Sequence, residues 1–164
     1  MTDRTKNATF FLNFIVSNRR QYCGMVVGLD QAIREVTDHV KEILGDNTVI
    51  VVSSDNGANP WLGGMNAPFR SGKLSPFEGG VRVPAFGLDL SKDKKYLGKE
   101  GREFGNMIHI SDWLPTFLSW AGKSNLLTNI RMDGIDQSKV SQFGLILKCN
   151  FFVFFSCVAV TVWL

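Results

Sequence analysis

A length of 164 residues suits one ordinary domain, and 45% hydrophobic with 20% charged residues is a globular composition without repeats or low-complexity runs. The net charge of +3 arises from lysines and arginines scattered along the chain, too mild and too dispersed for a nucleic-acid binder. The three cysteines, Cys23, Cys149 and Cys157, form neither a zinc pattern nor an even disulfide set, so they read as free or buried thiols and leave the redox compartment open.

Residues 8–16 are apolar and follow Arg4 and Lys6, a faint likeness to a signal peptide, but Asn13 interrupts them and no A-x-A-like cleavage site follows. Asn7-Ala8-Thr9 is a formal glycosylation sequon. From residue 22 to 44, Met25, Leu29, Ile33, Val36, Val40 and Ile43 recur at steps of three and four, which predicts an amphipathic helix ended by Gly45. After a turn at Asp46-Asn47, residues 48–52 are continuously apolar and β-branched, which predicts a strand buried on both faces, as in a parallel sheet. Helix, turn and strand form half of an α/β unit.

Residues 53–80 are dense in Gly, Asn, Ser and Pro and read as a long functional loop. Residues 81–86 form the next strand candidate, which Pro84 assigns to an edge or an irregularity. Residues 91–105 are charged and exposed in character, and residues 107–110 are a short apolar run. Ser111-Asp112 then offers an N-cap, with Pro115 in the first turn of a helix that runs to Trp120 and stops at Gly122.

The chemistry concentrates just after the buried strand, at Ser53-Ser54-Asp55-Asn56-Gly57. In open α/β sheets, ligands bind at the carboxyl edge of the strands. A carboxylate beside an amide oxygen offers hard donors that suit Ca²⁺ or Mg²⁺, and the remaining ligands must come from elsewhere. Taken by its spacing alone, the segment is better explained as an Asx turn. Further on, Arg70, Lys73, Glu78 and Arg82 lie in a Gly-rich stretch. There Lys73 can act as a point charge on a tetrahedral oxyanion, the plain alternative being a solvated basic loop.

A series of blocks decides between these readings. Ser53-Ser-Asp-Asn-Gly57, Arg70-x-x-Lys73, Phe77-Glu-Gly-Gly-Val-Arg82, His109-Ile-Ser-Asp-Trp-Leu-Pro-Thr116 and Asp133-Gly-Ile-Asp136 resemble, in order, the successive blocks of the sulfatase family. The animal arylsulfatases of the arylsulfatase B type are the nearest. Tyr22-Cys-Gly-Met-Val26 with Leu29-Asp30 resembles the helix that precedes the strand in those enzymes. The likeness covers about residues 18–137, leaving 1–17 as an unmatched apolar segment and 138–164 as an unmatched apolar tail.

The resemblance implies an alkaline-phosphatase-like α/β catalytic domain, present as its C-terminal half only, and hydrolysis of sulfate esters. It implies a calcium ion held by Asp55 and Asn56, and a substrate sulfate contacted by Lys73. It further implies a lysosomal or secreted glycoprotein acting on a sulfated glycan or aryl sulfate. The family's nucleophile is a formylglycine made from the cysteine of a C-x-P-S-R motif, whose hydrated aldehyde attacks sulfur. None of Cys23, Cys149 and Cys157 has a proline two residues later, so the motif is missing from these residues, as are the family's early metal-binding aspartates and the histidine that precedes the Tyr22 helix. The expected result is a segment inactive by itself. His39 reads as solvated, and His109 as structural. Ser71 stands where the family usually has Gly, Phe77 where Trp is common, and Pro76 departs from the pattern.

The two ends carry other readings. Residues 143–164 reach the roughly 20 apolar residues of a membrane span only by burying Lys148. Lys139-Val140-Ser141 can be encoded by a splice-donor consensus, and residues 10–17 by a pyrimidine-rich tract ending in AG, so both ends are candidates for intron read-through. Two alternatives to the sulfatase reading stay open: a non-catalytic, membrane-attached remnant, and a related phosphatase or phosphodiesterase of the alkaline-phosphatase superfamily.

Overall fold

A computed structural model describes residues 3–98, 101, 105, 107–128, 130–141, 147–150 and 159–163. Helix α1 spans Asp3–Leu44, strand β1 Val49–Ser53, helix α2 Glu78–Val81 and strand β2 Arg82–Asp89. Helix α3 spans Trp113–Trp120, helix α4 Ser138–Ser141, strand β3 Leu147–Asn150 and strand β4 Ala159–Trp163. Short 3₁₀ turns occupy Pro60–Leu62, Ile110–Asp112 and Ser124–Leu127.

The helix predicted over 22–44 forms and begins much earlier, giving α1 42 residues that pass without a break through position 17, the boundary set from sequence. It ends where predicted: Gly45 takes φ +60°, and its N–H donates to the Lys41 carbonyl at 3.1 Å. Its apolar stripe is only partly covered by the described residues. Met25 and Ile43 are each 64% exposed, whereas Ile33 and Val40 are half-buried. The helix is tied to the loop after β1 near its middle, where Asn18 Nδ2 donates to the Trp61 carbonyl at 3.2 Å and Arg19 to that of Gly63 at 2.7 Å.

Every residue of β1 is buried, as its unbroken β-branched sequence requires. The expected parallel pairing is corrected, because the described sheet has the order β3-β2-β1-β4 and each adjacent pair is antiparallel. The physical reason is the connection. The residues from β1 to β2 contain only one-turn helices, so they reverse the chain and return it beside β1 instead of carrying it across the sheet face. Of the two readings of Pro84, the edge is overturned, since β2 lies between β1 and β3, and the irregularity stands, since the β1 pairing ends at Ala85. The missing N–H of Pro84 falls opposite Ser54, one residue past the end of β1. Ser54 N–H donates to the Pro84 carbonyl at 3.1 Å, and the Ser54 carbonyl accepts instead from Ser53 Oγ at 3.0 Å.

Residues 147–150 and 159–163, considered as parts of a membrane-spanning segment over 143–164, are strands that pair with β2 and β1. Among the described residues, no helix is long and apolar enough to cross a membrane.

On one face of the sheet, Val49, Val51, Val83 and Ala85 pack against Leu97, Ile108, Trp113 and Phe117. Trp113 stacks on Phe117 with centroids 5.3 Å apart, and Phe117 meets Trp120 at 5.7 Å. The start of α3 is fixed by a buried carboxylate. Asp112 accepts from the His109 N–H at 2.9 Å and from the Ile135 N–H at 2.8 Å, so two of the sequence blocks meet on one side chain. Thr116 Oγ1 accepts from the Gln137 N–H at 2.9 Å, and Gly134 fits against Ser111 because a Cβ there would stand 2.0 Å from the Ser111 carbonyl oxygen. Removing the carboxylate in Asp112→Ala strands these donors. The expected loss is about 3 kcal/mol of stability, read as a lower urea midpoint. An unchanged midpoint would show that this carboxylate does not hold the two blocks together.

Candidate functional site

The site is built on the loop that leaves β1. Ser54 Oγ donates to the Asn56 carbonyl at 2.9 Å, and Asn56 Nδ2 donates to the Gly57 carbonyl at 2.9 Å. This local bonding uses side chains that donate to carbonyls, and not the side-chain acceptor of the Asx turn that the spacing suggests. It also commits the Asn56 amide nitrogen to the backbone and turns Oδ1 the other way. Gly57 N–H then donates to the Gly80 carbonyl at 2.8 Å, bringing the loop onto the start of α2. The approach is so close that a Cβ on Gly57 would stand 1.7 Å from the Gly79 carbonyl oxygen.

Beyond Gly57, one asparagine organises the Gly-rich loop. Asn66 Oδ1 accepts from the Ala58 N–H and its Nδ2 donates to the Ala58 carbonyl, both at 2.8 Å. The same carbonyl accepts from the Lys73 N–H at 3.1 Å, so the Lys73 backbone is tied two residues from Asn56. The far limb is laced by Gly79 N–H to the Arg70 carbonyl at 2.9 Å, by Arg70 over the Phe77 ring at 4.0 Å, and by Arg82 over the Phe69 ring at 4.6 Å. Arg82 also pairs with Glu78 at 3.2 Å.

Beside this loop lies an open cavity of about 380 Å³ whose lining includes Tyr22, Met25, Asn56, Asn66, Lys73 and Arg82. Asn56 and Lys73 therefore share one cavity at the carboxyl end of β1. Asp55 is half-buried and is not among the lining residues. His39 lies on the exposed face of α1, 3.8 Å from Glu42. His109 caps the turn before α3, its Nδ1 accepting from the Ser111 N–H at 3.3 Å. Cys23 is an exposed free thiol, while the side chains of Cys149 and Cys157 lie outside the described residues. Among the described residues no three His, Cys, Asp or Glu side chains converge as a metal site. The donors at positions 55 and 56 are a carboxylate and an amide oxygen, which fit part of the oxygen shell of calcium and not a zinc site.

The sequence placed Arg82 among four charges able to meet an anion without giving it a separate task, and it pointed to no role at the site for Asn66 or the Tyr22–Met25 turn of α1. The readable signal was Asn66 in a Gly-rich loop, where an amide can stand in for a strand partner.

The family model described as Sulfatase matches residues 1–123. The chain belongs to the sulfatase family. Among its relatives, arylsulfatase J of Mus musculus is 38% identical over 137 residues, covering 82% of this chain and 22% of that protein. N-acetylgalactosamine-6-sulfatase of Homo sapiens is 39% identical over 111 residues, 65% of this chain and 20% of its own length. The arylsulfatase of Chlamydomonas reinhardtii is 36% identical over 114 residues. The chain thus spans about a fifth of the length of the first two of these curated relatives. No solved structure matches it. Membership of the sulfatase family implies an alkaline-phosphatase-like α/β fold.

One departure from the family pattern has a visible cost. Ser71, where the sulfatase pattern has Gly, takes φ +67°, a conformation that a Cβ disfavours. Ser71→Gly is expected to raise stability by about 0.5–1 kcal/mol, the relief of that strain less the added freedom of glycine when unfolded. Gly57→Ala is expected to do the reverse and far more strongly. Thermal melts of both variants check the pair, and a harmless Gly57→Ala would contradict the close packing at Gly79.

Proposed function

We propose that this segment supplies the metal edge and one sulfate contact of a sulfuric ester hydrolase, as the C-terminal half of the catalytic domain. Asp55 and Asn56 would hold a calcium ion, and Lys73 would bind the sulfate. When bound, the ion would offset negative charge on the sulfate oxygens. The observation that carries this reading is the shared cavity of Asn56 and Lys73 at the carboxyl end of β1, in a chain of the sulfatase family.

The chain's own residues perform definite tasks in this reading. The Gly57–Gly80 bond and the Asn66 clamp fix the loop backbone, so a sulfate would meet a preorganised lysine and not a wandering one. The amide of Asn56 is oriented by its own bond to Gly57. A nucleophile must come from residues outside these 164, since none of the three cysteines stands in a C-x-P-S-R context. A lysosomal or secreted location belongs to the same proposal.

Two measurements test it. Residues 1–164 expressed alone should not turn over an aryl sulfate in the presence of calcium. Turnover above a Lys73→Ala control would reveal a nucleophile within the chain. In a protein that joins this segment to a C-x-P-S-R segment, Asp55→Ala should reduce kcat/KM by at least about 10³-fold, the scale on which loss of preorganised charge stabilisation acts. Unchanged turnover would remove Asp55 from the site.

A further inference from the structure

The cavity at the end of β1 has one more cationic side chain in its lining than the sulfate reading uses. Two cationic side chains, Lys73 and Arg82, line it, and among the described residues no carboxylate does. Arg82 is not assigned by the calcium and Lys73 reading. It stands at the first position of β2, where its backbone pairs with Asn150 of β3 and lies beyond the last β1 partner, Ser53 opposite Ala85. Its guanidinium is held from two directions, by the Phe69 ring at 4.6 Å and by Glu78 Oε2 at 3.2 Å, and its side chain remains 31% exposed. A guanidinium carries five donors in a planar fork, and a single bond to Glu78 leaves a carboxylate-binding or sulfate-binding edge. Four other lining residues, Tyr22, Met25, Leu62 and Met65, are mostly apolar and suit the uncharged body of a ring.

We propose that Arg82 is a specificity-determining residue that binds a second anionic group on the substrate, so that the preferred ester carries another sulfate or a carboxylate beside the one to be cleaved. This rests on the reading of Asn56 and Lys73 as part of the sulfate site. Glu78 sets the strength of the effect. It shares Arg82 with the incoming anion, so the substrate's second group competes with an internal carboxylate. A buttressing salt bridge and a tuned anion site then respond oppositely to loss of Glu78: the first weakens every ligand, and the second tightens binding of the doubly charged one.

The test is calorimetric titration, with calcium present, of a protein that joins these residues to a C-x-P-S-R segment whose cysteine is changed to alanine, using two probes: N-acetylgalactosamine 6-sulfate, with one anionic group, and a 6-sulfated chondroitin disaccharide, with a sulfate and a carboxylate. The wild-type chain should bind the disaccharide about tenfold more tightly, the scale of one charge-assisted contact in partly exposed surroundings. Arg82→Gln should reduce that preference to below about twofold, and Arg82→Lys should keep part of it. Glu78→Gln should increase it. Lys73→Ala should weaken both probes alike. Equal wild-type affinity for the two probes, or a Glu78→Gln chain that binds both more weakly, overturns the role of Arg82 while a Lys73-dependent loss leaves the sulfate site standing. Failure of both probes to bind, or indifference of both to Lys73→Ala, overturns the sulfate site and this proposal together.

Discussion

Gly57 and Gly79 touch backbone to backbone, closed by the Gly57 N–H to Gly80 carbonyl bond at 2.8 Å and leaving no room for a Cβ at 1.7 Å. The geometry around the cavity depends on that contact. It brings the loop leaving β1 against the turn that enters β2, two segments that sequence separates by the whole Gly-rich stretch. Once they are joined, residues 58–73 have little freedom. Asn66 grips both polar groups of Ala58, and Lys73 hangs from the same carbonyl. A flexible lysine is a weak oxyanion ligand because ordering it costs entropy. A lysine whose backbone is already tied beside the strand end has met the backbone part of that cost in advance, leaving the side-chain part.

The fold supports this loop through two buried side-chain hubs and a short strand. Asp112 collects donors from residues 109 and 135, while Asp89 accepts from the N–H groups of Ser91, Tyr96 and Leu97 at 2.8–3.0 Å. Each carboxylate replaces a turn of regular structure by satisfying several backbone donors at once. Strand β1, buried along its whole length, gives both ends of the sheet a fixed reference. Its carboxyl end opens onto the cavity, and its amino end adjoins the aromatic cluster of Tyr96, Phe117 and Trp120.

Much of this was legible in the sequence, and the reasons differ by element. Helix α1 announced itself by its apolar spacing and its Gly45 stop, and β1 by an unbroken β-branched run. The direction of the sheet was not legible, because a strand buried on both faces reads alike in parallel and antiparallel settings. Pro84 left an edge and an irregularity open, and only the contacts choose: the strand position that lacks its donor lies just past the end of β1, where Ser53 Oγ supplies the missing bond. The Asp55, Asn56 and Lys73 positions came from the order of motif blocks, which composition and spacing alone did not distinguish from an Asx turn and a basic loop. Asn66 escaped notice, and Arg82 was visible only as one charge among four, because their contacts are made across the loop. The exposed stripe of α1 was legible as amphipathic, but periodicity does not say which neighbour covers it.

The central claim is that the end of β1 is one wall of a calcium and sulfate site. The most direct measurement is an anomalous-difference map from crystals of a protein that joins these residues to a C-x-P-S-R segment, grown with calcium and a sulfate ester analogue. The account predicts a metal peak about 2.3–2.6 Å from side-chain oxygens of both Asp55 and Asn56, with the sulfate in contact with Lys73 Nζ. A metal peak held entirely by other residues, or a sulfate bound away from Lys73, would contradict it.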